Sequence, residues 1–192
     1  MASYRAIEAV SQAIIGLLKA APPPPELAQF DIKLYRPGSF SEDAPDPGIS
    51  LYLYRISVNT VRRTLPRPAD QNGYRHRPAL PVDLHYLLTP WAAMAETQQM
   101  LLGWSMRALE DTPLLSSAVL NPAVFLPDET IEIVSEHLSL QEIINIWDAF
   151  KPNFQISAAY SVRMVPIDSL IVEPEGAAVQ TRTLKMVKGP QQ

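Results

Sequence analysis

The chain has 192 residues, 47% of them apolar and 19% charged, with a formal net charge of −4. Those values predict one globular domain able to bury most of its unfolded surface, and they argue against disorder and against general nucleic-acid binding, which favours a basic domain. The complete absence of cysteine excludes disulfides, thiol nucleophiles and cysteine-ligated zinc.

Prolines number 19, about twice the usual ~5%. They cluster at Pro22 to Pro25 and again through 66–81, so they mark connections rather than broken core elements. The longest apolar run, Ala13 to Leu18, falls far short of the ~18 residues of a spanning helix. Glu8 and Gln12 interrupt the apolar stretch and Arg5 is a thin positive region, so a signal peptide is not expected and a cytoplasmic product is.

In chain order, Ser3 is placed as an N-cap, and Ile7, Val10, Ile14, Leu17 and Leu18 then recur at helical spacing until four prolines end the helix. Phe30 to Tyr35 reads as a short strand. Arg36 to Gly48 reads as loop, with Pro37-Gly38 and Pro47-Gly48 as turn signals. Ile49 to Val61 is the clearest strand, rich in β-formers. After the polar, Arg-rich and Pro-rich connection Arg62 to Ala79, Leu80 to Leu88 returns as a strand. Val82, Leu84, Tyr86 and Leu88 share one of its faces, Asp83, His85 and Leu87 the other. The two long strands are expected to form a hairpin with a long tip.

Thr89-Pro90 is expected to open the main helix, Thr as N-cap and Pro at the first helical position, with Trp91, Met94, Leu101, Leu102 and Leu109 on its apolar side and Asp111-Thr112-Pro113 as its stop. A loose connection leads to Pro127, and Thr130 to Leu138 is a strand. Ser139-Leu140-Gln141-Glu142 is a capping box, with Leu138 and Ile143 placed as a hydrophobic staple. Leu140, Ile143, Ile144 and Trp147 form the predicted buried stripe of that helix, which Pro152 ends. Gln155 to Ile167 is the last long strand. The expected fold is α/β of the α+β kind: a mixed, mainly antiparallel sheet with two to three packed helices. Residues 1–168 form the domain and 169–192 a tail, in which Val179 to Val187 is one more candidate strand.

Few residues suggest chemistry. Asp83 and His85, two apart on a strand, share a face and could orient an imidazole for general base work. No serine motif, phosphate loop or second metal-spaced histidine accompanies them, so a polar pair on the less buried sheet face is preferred to a hydrolase. Glu132 and Glu136 share a strand face in a spacing common on solvent faces and are set aside as a cation site. Trp91, Trp104 and Trp147 fall on predicted helices and are read as core. No catalytic residue, metal or cofactor is expected. The connection Arg62–Arg77 is different: Arg62, Arg63, Arg67, Arg75 and Arg77 are five of the chain's 16 basic residues, opposed only by Asp70 and interleaved with Tyr74 and His76. Such a loop suits phosphate or an acidic protein surface better than mere solubility, because arginine binds carboxylate and phosphate bidentately.

Taken together, Arg62-Arg63, Leu65-Pro66-Arg67, the run Arg77 to Pro90, Leu138 to Ile144 continuing to Ile146-Trp147, and the Tyr160-containing strand ending Val165-Pro166-Ile167-Asp168 resemble the cap, or tail-terminator, family of phage-tail-like contractile injection systems. The resemblance runs from about Ser3 to Asp168. It implies a structural role as a six-fold ring that closes the distal end of tube and sheath, with the inner-tube and sheath proteins as partners. It brings no cofactor, nucleic acid or membrane insertion. It also implies assembly in the cytoplasm into a particle that is released or anchored. A globule of this length has a radius of gyration of ~16 Å, so six in a ring would leave a hole of roughly 40 Å, closed by one repeated heterologous interface. On this reading the five arginines contact tube or sheath, and Val179, Thr181, Thr183, Leu184 and Met186 pair as a strand with another subunit. The alternative is a nucleic-acid or phosphate-binding accessory protein that uses the Arg62–Arg77 loop.

Overall fold

The apolar spacing near the start of the chain becomes helix α1, Ala6–Ala20, whose Val10, Ile14 and Leu18 are fully buried. Each such side chain contributes about 1.5–3 kcal/mol by leaving water. Arg5 occupies the N-cap position. Ser3 lies outside the described residues, which in this computed structural model are 4–27, 29–42, 46–61, 73–150 and 154–174. The helix stops as expected: Ala21 turns to extended backbone, its N–H still bonded to the Leu17 carbonyl at 3.1 Å, and Pro22 follows.

Strand β1, Asp31–Tyr35, runs parallel to β2, Gly48–Val58, in the register Ile32 opposite Ile49. A parallel neighbour needs a crossover of about a dozen residues, and the segment read as loop performs it. Within it the one-turn helix α2, Ser39–Glu42, plants Phe40 in the interior at 4% exposure. Strand β2 then pairs antiparallel with β4, Leu80–Trp91, forming the predicted hairpin. Its long connection is not wholly irregular, because β3, Tyr74–His76, lies within it and pairs with β8, Val172–Pro174.

The expectation of a helix opening at Thr89-Pro90 is wrong. Strand β4 continues through both residues to Trp91, and the helix α3 begins later, at Ala95–Glu110, after Met94. Tertiary partners decide this. The Thr89 hydroxyl is 2.9 Å from that of Ser157, the Trp91 indole N–H donates to Ser50 Oγ at 2.8 Å, and Pro90 sits opposite Ile49 in the ladder. The stop after Glu110 is as predicted. The connection that follows includes a two-residue strand, β5, Leu114–Leu115, paired with β6, Ile131–Glu136.

The capping box forms as read. Ser139 N–H donates to Glu142 Oε2 at 2.8 Å, and Glu142 N–H donates back to Ser139 Oγ at 3.3 Å, at the start of α4, Leu140–Phe150. The face of α4 that is buried differs from expectation. Leu140 is 67% exposed, and the inward stripe is Ile143, Ile146, Trp147 and Phe150. Pro152 lies outside the described residues. Strand β7, Ala158–Ile167, completes the main sheet, three residues shorter at its start than predicted.

That sheet has six strands in the order β1-β2-β4-β7-β6-β5, antiparallel except for β1–β2. Helices α1 and α3 cover one face, over Leu84, Tyr86, Leu88 and Val162. The other face carries an aromatic core of Tyr35, Phe40, Trp91 and Trp147 beneath α4, in which Phe40 and Phe150 stack at 4.2 Å. The expected mixed, mainly antiparallel sheet with packed helices is therefore the observed one.

Candidate functional site

The two sequence candidates for chemistry, Asp83 and His85, are on β4 as read, but they belong to separate networks. Asp83 accepts the Met164 N–H at 2.8 Å and also accepts from Asn59 Nδ2, which lies 3.2 and 3.1 Å from its two oxygens. Met164 has a φ of +59°, a left-handed backbone that a non-glycine residue rarely holds without support, at the point where the β4–β7 register shifts. Asp83 secures that irregularity.

His85 is 6% exposed, and its carboxylate partner is Glu136, from the end of β6. Nδ1 of the imidazole is 2.8 Å from Glu136 Oε2, and Nε2 is 2.9 Å from Ser57 Oγ. Arg55 Nη2 approaches Glu136 Oε1 at 3.6 Å, and the Tyr54 hydroxyl donates to Glu136 Oε2 at 3.1 Å. Burial first, then the Glu136 charge and its hydrogen bond, push the Tyr54 phenol well above its ordinary pKa. The order carboxylate–imidazole–hydroxyl is the one that activates a nucleophile. Yet Ser57 lies within β2, opposite Asp83, and successive N–H groups of an extended strand point in opposite directions, so its own backbone supplies no converging pair for an oxyanion. The arrangement ties β2, β4 and β6 together in one partly buried polar network centred on His85. Sequence reading missed Glu136 as the partner because β6 reaches β4 only across β7; the strand position of Glu136 was its one available signal.

Glu132 and Glu136 do not act as a pair: Glu132 is exposed opposite Arg163, whereas Glu136 is bound to His85. Among the described residues no group of three or more His, Asp or Glu is placed to hold a metal ion. Trp104 and Trp147 are core residues on helices, as expected. Trp91 is core too, but on strand β4.

Of the five arginines, Arg62, Arg63 and Arg67 lie outside the described residues. Arg75 belongs to β3 and Arg77 follows it, with Arg77 Nε and Nη2 both 2.6 Å from Glu173 Oε1. Arg77 N–H also donates to the Ile171 carbonyl at 3.1 Å, and His76 Nδ1 is 3.3 Å from that of Ser169. This end of the hairpin thus clasps the chain as it leaves β7. The tail residues Val179, Thr181, Thr183, Leu184 and Met186 lie outside the described residues.

Residues 9–181 match the family model described as the Pvc16 N-terminal domain, and the chain belongs to that family. Two solved structures share its fold. The PVC sheath/tube terminator of an extracellular contractile injection system, in the extended state, aligns with 97% of this chain and 65% of its own, at 20% identity and a TM-score of 0.67. The anti-feeding prophage cap, a tube terminating cap, aligns with 92% of this chain and 60% of its own, at 19% identity and a TM-score of 0.55. The chain therefore spans less than two-thirds of the length of either. No curated protein matches it. No described helix is long and apolar enough to cross a membrane.

Proposed function

We propose that this member of the Pvc16 N-terminal domain family is a structural cap, a tail terminator that closes the distal end of the tube and sheath of a contractile injection system. The observation that carries the reading is the family match over 9–181, joined by a fold shared with two proteins described as terminators. Its partners are the last tube and sheath rings of its own particle, and it works by binding rather than by turnover. The Ser57–His85–Glu136 chain fits that role as a rigid internal brace.

Finer features belong to the same proposal. The protein closes as a ring of six, through one heterologous interface repeated around the axis. It assembles in the cytoplasm, into a particle then released or anchored. Residues 1–168 form the cap domain, and within the tail the segment Val179–Val187 pairs with another subunit. Arg62, Arg63, Arg67, Arg75 and Arg77 engage acidic groups on tube or sheath.

The test is to purify the protein with its tube and sheath proteins and to measure mass in solution alongside negative-stain images. Six-fold rings at one end of tubes support the cap. A chain that stays monomeric with both partners present overturns it. Oligonucleotide binding with a steep salt slope would move the assignment to a nucleic-acid accessory.

A further inference from the structure

Strand β2 is 11 residues long, but β1 pairs only with its first part, Gly48 to Tyr52. From Leu53 to Val58 it has β4 on one side and, among the described residues, no strand on the other. An open edge offers a row of backbone N–H and C=O groups to any extended chain, and proteins usually blunt such edges with Lys, Pro or a bulge. This one has neither Lys nor Pro, and its single charge, Arg55, is directed at Glu136 and His85. The register shift against β4 falls between Leu53 and Arg55, which leaves Arg55 to Val58 in continuous register.

Two side chains on this stretch are apolar and half exposed. Ile56 and Val58 lie opposite Leu84 and Val82, so they face the α1/α3 side of the sheet, yet they are 48% and 46% exposed. Leu34, opposite Leu51 on the same face, is 41% exposed. Ile56 and Val58 thus stand on the unpaired stretch itself, with Leu34 on β1 near its start. An open backbone flanked by apolar side chains is what a strand-accepting site requires: main-chain bonds for affinity and alternate side-chain contacts for specificity.

The geometry points to this edge as the acceptor for residues Val179–Val187 of a second copy of the chain, an assignment that rests on the capping reading above. The length and position of the chain beyond the described residues support that occupant. Strand β8 ends at Pro174, paired with β3 in the connection that follows β2, and the chain continues to Gln192. At about 3.3 Å per residue, Val179 to Val187 extends roughly 30 Å, more than the ~20 Å needed to line Leu53 to Val58. Leu184 and Met186 alternate on one side of that segment and would meet Ile56 and Val58. Donation between copies makes donor and acceptor surfaces different, as a closed ring demands.

The chain has no cysteine, so introduced thiols report without background. Differently tagged Ile56→Cys and Leu184→Cys proteins, mixed under mild oxidation, are expected to give a disulfide-linked pair of unequal tags. Val58→Lys in the Ile56→Cys partner is expected to abolish that pair without changing its melting temperature, because Val58 is half exposed. No cross-link overturns the assignment. So does a doubly substituted chain that links only within itself. Capped particles without the cross-link would leave the capping reading standing and remove the acceptor edge. A cross-linked pair that never caps a particle would do the reverse.

Discussion

Asp83 and Met164, 81 residues apart in sequence, are joined by a 2.8 Å hydrogen bond from the Met164 N–H to the Asp83 carboxylate. The bond falls where β7 departs from regular pairing with β4, and it holds a methionine at a φ of +59°. Local strain of this kind costs on the order of 1–3 kcal/mol and persists only when its surroundings enforce it. Asp83→Ala removes the acceptor for both Met164 and Asn59. It is expected to destabilise the fold by about 1–3 kcal/mol, the cost of leaving a partly buried backbone donor unsatisfied. Denaturant unfolding checks this, and a midpoint equal to wild type would show that the irregularity holds itself.

The two glutamates of β6 should separate sharply. Glu136→Ala strips the partner from His85, Arg55 and Tyr54 and is expected to cost about 1–3 kcal/mol. Glu132→Ala, at an exposed position, should stay within about 0.5 kcal/mol of wild type. Equal losses in parallel thermal melts would contradict the bracing role given to Glu136.

Alkaline pH should unfold the protein through its tyrosines. Burial raises the phenols of Tyr52, Tyr54 and Tyr86 above the ordinary value of 10.0, and that of Tyr160 is pushed up to about 12 by burial and then by the Glu110 charge. A raised folded-state pKa means that the unfolded chain loses its protons first. Stability is therefore whole below pH 10 and falls as the pH rises towards 12. Tyr86→Phe should flatten that slope, as read by denaturation midpoints at several pH values. A slope unchanged in the variant would place the alkaline sensitivity elsewhere.

Ser139→Ala is expected to cost roughly 0.5–2 kcal/mol, since Ser139 Oγ accepts the Glu142 N–H at the start of α4. Its effect should be on stability alone, with binding to partners unchanged once folded. An unaltered melting temperature would mean that α4 gains nothing from its cap.

Changing Arg62, Arg63 and Arg67 together to Ser should leave the melting temperature intact and weaken capping, producing particles of uneven length. Several charges are involved because an isolated surface pair contributes only about 0–1 kcal/mol. Particles of normal length with normal ends would show that the segment does not engage the partner.

Much of this protein is legible in the chain because it depends on neighbours in sequence. The proline run after Ala21, the spacing of Val10, Ile14 and Leu18, the β-forming runs of β2 and β4 and the Ser139–Glu142 box follow from local backbone chemistry and periodicity. What the chain could not disclose depends on which strands lie side by side. Thr89-Pro90 has the form of a helix start, yet Ser157, Ser50 and Ile49 hold it in a strand. Leu140 fits a helical stripe as well as Ile146 does, and only the position of Phe40 and Tyr52 under α4 decides that Ile146 turns inward. Asp83 and His85 share a strand face, but the order β4-β7-β6 brings Glu136 to the imidazole, and the irregularity in β7 takes the aspartate. The reason is physical: periodicity says that a face is buried, whereas the partner of a buried polar group is set by contacts between residues far apart in the chain, which the strand order alone creates.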